Sequence, residues 1–138
     1  MQVPTVSEVR AELAGIIDDN IEGLRGSAIV PDQMVGPIAV VSRRAFDPRY
    51  VFSGSKAQYE FTVTIYTPRA ADRAAQNLLD DWVELSGATS VIAAIQDGDN
   101  WQNVAVDYAQ VVNVSEVQSV SVDTAEYLAV RLDVEVVW

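Results

Sequence analysis

The longest alternation of apolar and polar residues in the chain lies at residues 128–136, which read LAVRLDVEV. In an extended chain, Leu128, Val130, Leu132, Val134 and Val136 would point to one side and the residues between them to the other. This period of two is typical of a β-strand with one buried face. The length of the run predicts the central strand of an antiparallel sheet.

The remaining strands are predicted from shorter runs of the same kind. Each run is rich in β-branched or aromatic residues, and most alternate apolar with polar positions. They are residues 38–42, 59–67, 104–109 and 119–123.

Three helices are predicted from apolar residues spaced three and four apart. The first follows the capping-box spacing Thr5 to Glu8 and ends near residue 20. The second starts at Pro68, and the third spans about residues 90–96. The apolar stripe of the second helix consists of Ala71, Ala75, Leu78, Trp82 and Leu85. We therefore expect one α+β domain over residues 1–138. Its mostly antiparallel sheet would have helices packed on one face, with a long hairpin-like loop between the first two main strands.

The composition excludes several function classes. The 138 residues contain no cysteine and no histidine, which excludes thiolate nucleophiles, Cys/His zinc sites and histidine acid–base chemistry. The longest apolar run, Val91 to Ile95, is far shorter than the about 20 residues that a membrane span needs. Residues 1–10 lack the pattern of a signal peptide, so we expect a soluble protein made in a cytoplasm.

The charge is strongly acidic and unevenly distributed. The net charge is −11, which argues against a protein that grips nucleic acid through a basic face. Residues 1–73 hold eight basic and nine acidic side chains, whereas residues 74–138 hold one basic residue, Arg131, and eleven acidic ones. A molecule whose two halves differ in net charge in this way suits head-to-tail assembly.

No motif for catalysis or metal binding emerges. Asp97-Gly98-Asp99-Asn100 looks like the start of a calcium loop but lacks its spaced oxygen ligands and closing glutamate, so ordinary turn chemistry is expected. Ser53-Gly54-Ser55-Lys56 lacks the first glycine of a P-loop and precedes a strand. We expect no cofactor, no metal and no enzymatic activity.

Residues 43–56 stand out as a candidate interaction segment. They hold four of the nine basic residues and three aromatic ones, a combination that protein interfaces favour. One interpretation is a hairpin arm or loop that contacts a neighbouring subunit, and the other is that the aromatic residues fold back onto the core. The candidate interaction residues are Arg43, Arg44, Phe46, Arg49, Tyr50, Phe52 and Lys56.

Several stretches together resemble the tail terminator proteins of long-tailed (siphovirus) actinobacterial phages. The resemblance covers most of the chain. It is carried by TVSEVRAEL at 5–13, FDPR at 46–49, YEFTV at 59–63, AAQNLLD at 74–80, SGATSV at 86–91 and YLAV at 127–130.

The resemblance implies a virion protein at the junction of tail and neck, assembled in the host cytoplasm. It would form a ring, expected to be a hexamer, that caps the tail tube, stops its polymerisation and docks the head-completion or connector protein. DNA would pass through the ring without specific binding. Carboxylates could line such a channel because like charges repel phosphates; the candidates are Asp97, Asp99, Asp107, Glu116 and Asp123.

Other interpretations remain open at this point. A head-closure or head-tail connector subunit shares the same size and α+β pattern. A non-viral binding module, or a hydrolase using carboxylates, would instead require a monomer with a pocket of convergent acidic groups.

Overall fold

The computed structural model of the chain describes residues 5–28, 36–46, 58–68, 72–104, 106–122 and 125–137. Within these ranges the protein is α+β, with a mostly antiparallel sheet of six strands and three helices packed against it, as the sequence predicts. The elements are α1 (Val6–Asn20), β1 (Arg25–Ser27), β2 (Ile38–Phe46), β3 (Gln58–Pro68), α2 (Asp72–Trp82), α3 (Val91–Gln96), β4 (Tyr108–Val114), β5 (Gln118–Val122) and β6 (Ala125–Val137).

Strand β6 lies inside the sheet, as its alternation predicts. On one side it pairs antiparallel with β3 along the whole of that strand, from Gln58 opposite Val137 to Pro68 opposite Tyr127. On its other side it pairs with β4 and then with β5, so the strand order is β1-β2-β3-β6-β4, with β5 beside β6 as well. The prediction of a central strand is confirmed.

Strands β4 and β5 lie end to end along β6, separated by residues 115–117. At this interruption the amide of Ser115 donates to the carbonyl oxygen of Arg131 at 2.8 Å, and the Arg131 amide donates to Ser115 Oγ at 2.9 Å. Further along β4, the Val111 amide donates to Oε1 of Gln96, the last residue of α3, at 3.1 Å. A side-chain hydroxyl therefore completes the pairing at the interruption, and a side-chain amide oxygen occupies one backbone N–H of β4.

The core forms between the helices and one face of the sheet. Alternate residues of β3 and β6 point to this face, and their side chains are 0–2% exposed. Burying each large apolar side chain contributes about 1.5–3 kcal/mol, so the alternation itself fixes which face the helices cover. The buried sheet residues are Phe61, Val63, Ile65, Val130, Leu132, Val134 and Val136.

Helix α1 follows its prediction closely. Thr5 is the N-cap, and its side-chain oxygen accepts the amide of Glu8 at 3.2 Å, as the capping-box spacing predicts. Val9, Leu13 and Ile17 are fully buried on the core side of the helix. Among the described helices, none is long and apolar enough to cross a membrane.

Strand β1 is a feature that the sequence pattern does not show. Glycine and proline punctuate residues 21–37, which predicts mostly loop, with at most a short extended piece at residues 28–30. The strand pairs parallel with β2, from Arg25 opposite Ile38 to Ser27 opposite Val40. Gly26 allows this placement, since a Cβ there would collide with the backbone carbonyl of Ala14 in α1. The Gly26 amide donates to Asp18 Oδ1 at 3.1 Å, which ties β1 to the helix.

Two predicted boundaries are wrong. Strand β2 continues to Phe46 rather than ending at residue 42, with a register shift between Arg43 and Ala45. Pro68 ends β3 rather than starting a helix, and α2 begins at Asp72. A proline is compatible with the last position of a strand as well as with the first turn of a helix, so the residue alone did not decide between them.

The predicted apolar stripe of the second helix is also corrected. Leu78 is 41% exposed and Leu85, which lies beyond the end of α2, is 81% exposed. Ala75 and Trp82 are buried, as the stripe predicts, but Leu79 rather than Leu78 is buried between them. Ala71 lies outside the described residues.

The strand predicted at residues 104–109 is confirmed only at its end, since β4 begins at Tyr108 and continues to Val114. Trp101 and Val104 are buried within an irregular segment, where the Trp101 indole donates to the carbonyl oxygen of Ile95 at 2.8 Å. Strand β5 begins one residue before its predicted start. Helix α3 is confirmed, with Ser90 as its N-cap.

Candidate functional site

The predicted interaction segment is only partly described by the structure. Arg43, Arg44 and Phe46 belong to β2, where Arg43 pairs with Phe61 and Phe46 with Tyr59 on β3. They therefore continue a hairpin rather than forming part of a loop, although the structure describes only their backbone. The other candidates, Arg49, Tyr50, Phe52 and Lys56, lie outside the described residues.

The predicted channel-lining carboxylates lie at several separate places. Asp97 and Asp99 share one turn after α3, where Asp97 Oδ1 accepts the Asp99 amide at 3.0 Å, so the expected turn chemistry is confirmed. Asp107 lies just before β4 and Glu116 just after it, and all four side chains are exposed. Asp123 lies outside the described residues. A shared lining role for these carboxylates stays a prediction.

The sheet has a second face, directed away from the helices, which we call the outer face. Its central residues on β3 and β6 are Thr62, Thr64, Tyr66, Ala129, Arg131 and Asp133. Tyr66 meets Tyr127 edge to face, with ring centroids 6.3 Å apart. Towards the β4 end, Asn113 donates to Asp133 Oδ2 at 3.3 Å and the Tyr108 hydroxyl donates to Glu135 Oε1 at 3.1 Å.

A shallow depression of about 240 Å³ lies on this outer face, and we call it the outer pocket. Arg131 lies opposite Thr64 within it, and its exposed guanidinium makes no hydrogen bond or ion pair with any residue that the structure describes. Hydroxyl and amide groups surround this cation, so the pocket offers donors suited to a carboxylate. It is lined by Thr64, Tyr66, Ser115, Gln118, Val120, Ala129 and Arg131.

The helical side carries a depression of opposite charge. Glu8, Glu12, Gly15 and Asp19 are four, three and four residues apart, which places them on one side of α1. Together with Asn103 and Val104 they line a groove of about 400 Å³, and Glu12, Asp19 and Asn103 continue into an adjoining depression of about 150 Å³. We call this surface the acidic groove. Its carboxylates suit a cationic side chain.

The outer pocket and the acidic groove therefore lie on the two opposite layers of the fold. Arg131 is the single basic residue of residues 74–138. Its place at the centre of the outer face follows only from the pairing register of β3 and β6. The acidic groove could have been predicted from the spacing of Glu8, Glu12 and Asp19 along α1. It also depends on Asn103 and Val104, which come from a distant part of the chain.

Among the described residues, no three carboxylates come close enough to form a metal-binding group. Comparison of the chain with protein-family models and with curated proteins finds no match.

Proposed function

We propose that the protein is a tail terminator, a subunit that assembles head to tail into a ring, caps a phage tail tube and joins the tail to the neck. The observation that carries this proposal is that the outer pocket, whose one charged lining residue is Arg131, and the acidic groove lie on opposite layers of the subunit. A ring requires each subunit to offer two different, complementary surfaces, because a contact between identical surfaces closes after two copies. The resemblance of most of the chain to tail terminators is the reason for proposing that this ring caps a tail tube.

The uneven charge supports the same assignment. The exposed carboxylates of Asp97, Asp99, Asp107 and Glu116 all belong to the acidic second half of the chain. If part of this half faces the channel, DNA can pass without binding, since the walls repel its phosphates. A ring whose channel is lined by arginine and lysine would contradict this arrangement.

The direct test is the mass of the purified protein in solution, alone and mixed with the tail-tube protein. Light scattering would give the subunit number, and negative-stain imaging of the same samples would show rings or capped tubes. We expect rings of about six subunits, or tubes that stop growing and bear a cap at one end. A protein that stays monomeric and ignores the tube would refute the proposal, and binding to a head-side protein instead would favour the connector alternative.

A second test addresses the predicted interaction segment. We expect Arg49→Glu combined with Tyr50→Ala to leave the protein folded but to weaken ring formation or tube capping, because the change removes two residue types that dominate interfaces. Unchanged assembly by this double variant would show that the segment is not part of the interface.

A further inference from the structure

We propose that the acidic groove of one copy docks onto the outer pocket of the next copy, so that Arg131 reaches Glu12, with Glu8 and Asp19 one and two turns away along the same side of α1. This inference rests on the proposed ring and names the surfaces that would build it.

Charge is the first argument for this pairing. Two copies, each with a net charge of −11, repel one another at long range, so a stable contact has to bring opposite charges together locally. Arg131 is the single basic residue of residues 74–138, and its guanidinium is unpaired among the described residues. The acidic groove offers three carboxylates to receive it.

The same charges disfavour the symmetric alternatives. Two outer pockets facing each other would bring two Arg131 side chains together, and two acidic grooves would bring six carboxylates together, twice the three in each. Like charges placed opposite one another across an interface cost free energy. Of the three possible pairings of these two surfaces, the contact of groove with pocket is the attractive one. Because this contact joins different surfaces, it repeats from copy to copy.

The shapes of the two surfaces are compatible with such a contact. Gly15 lines the acidic groove, and a Cβ built on it would meet nothing within 4 Å, so there is open space beside the helix backbone. A long arginine side chain can reach such a space and donate two parallel hydrogen bonds to one carboxylate. The Thr64 and Tyr66 hydroxyls beside Arg131 can donate to a second carboxylate.

The test is a charge swap followed by sedimentation velocity. Arg131→Glu alone and Glu12→Arg alone should each weaken self-association at least tenfold, whereas the protein with both changes should assemble like the original. Arg25→Glu is the matched control, because Arg25 is also exposed but lies on β1, outside both surfaces. Glu8→Arg, at an exposed position of the same groove, replaces Glu12→Arg if circular dichroism shows that the latter fails to fold.

Mixing the two single variants sharpens the test. Arg131→Glu protein keeps its groove, and Glu12→Arg protein keeps its pocket, so this pair attracts. Their altered surfaces also carry opposite charges. We therefore expect the equimolar mixture to assemble with alternating subunits, although neither variant assembles alone.

The outcomes separate the two proposals. If the original protein assembles and Arg131→Glu assembles equally well, the docking inference is wrong and the ring stands. If the swap and the mixture restore assembly but no sample caps a tail tube, the docking stands and the terminator function is wrong. An original protein that remains monomeric with and without the tube protein would overturn both.

Discussion

Replacing Gly26 by alanine should destabilise the protein more than adding a methyl group at any other described glycine. The new Cβ would collide with the carbonyl oxygen of Ala14, and it would lie 3.0 Å from the carbon of that carbonyl and 3.2 Å from the amide nitrogen of Asp18. All three obstacles are backbone atoms of α1, so no side chain can rotate away. The strand and the helix would have to separate, which would also break the hydrogen bond from Gly26 to Asp18.

The size of the effect follows from the cost of overpacking. Inserted methyl groups in packed interiors cost about 1–3 kcal/mol of stability. Because the obstacle is rigid backbone, we expect Gly26→Ala to cost about 3 kcal/mol. A chain of 138 residues has an unfolding entropy of about 0.29 kcal/mol/K near its melting temperature. The melting temperature should therefore fall by about 10 °C, which calorimetry or a circular-dichroism melt would measure.

Gly15→Ala is the matched control, since it makes the same chemical change within α1. Its Cβ meets nothing within 4 Å, and alanine favours the helix interior over glycine by about 1 kcal/mol. The melting temperature should rise by about 3 °C. A loss of less than 1 kcal/mol for Gly26→Ala would refute the close approach of β1 to α1 on which the reasoning rests.

Three further predictions concern local contacts and can be measured by urea unfolding. Ser90→Ala should cost about 2 kcal/mol, because this buried N-cap accepts the Ala93 amide at 3.0 Å and donates its hydroxyl to the carbonyl oxygen of Glu84. A loss below about 0.5 kcal/mol would contradict the cap. Leu79→Ala should cost about 2–5 kcal/mol, whereas Leu85→Ala at an 81% exposed position should change the free energy of unfolding by less than about 0.5 kcal/mol. Equal losses for Leu79→Ala and Leu85→Ala would contradict the burial of Leu79 in place of the predicted stripe. Trp101→Phe should cost about 1–2 kcal/mol, since it leaves the buried carbonyl oxygen of Ile95 without its indole donor. An unchanged urea midpoint would show that this hydrogen bond does not contribute to stability.

The elements that were predicted correctly are those in which local pattern and tertiary packing agree. The alternation at residues 128–136 places every second side chain of β6 in the core, and the spacing of Val9, Leu13 and Ile17 does the same for α1. In these segments a single period decides both the type of element and its buried side. The fold class followed from them.

The missed features depend on partners that are distant in the chain. Strand β1 has three residues and no apolar alternation, and it exists because β2 and α1 hold it on two sides. For α2, Leu78 and Leu79 fit a helical stripe equally well, and only the packing against the sheet decides between them. The outer pocket likewise needed the register that places Arg131 beside Thr64.

Backbone groups are partly occupied or disturbed at both lateral edges of the described sheet, along β1 and along β4. Along β1 the Gly26 amide is already bound to Asp18, and along β4 the Val111 amide is bound to Gln96 while a bulge and the break at residues 115–117 disturb the row of backbone groups. Long, regular, unpaired edges invite strand-by-strand growth into open-ended aggregates, and interruptions of this kind discourage it. In the ring proposed above, copies would then recognise each other through side chains, whose contacts can be satisfied by a fixed number of neighbours. A subunit built in this way can take part in an assembly that has a defined end.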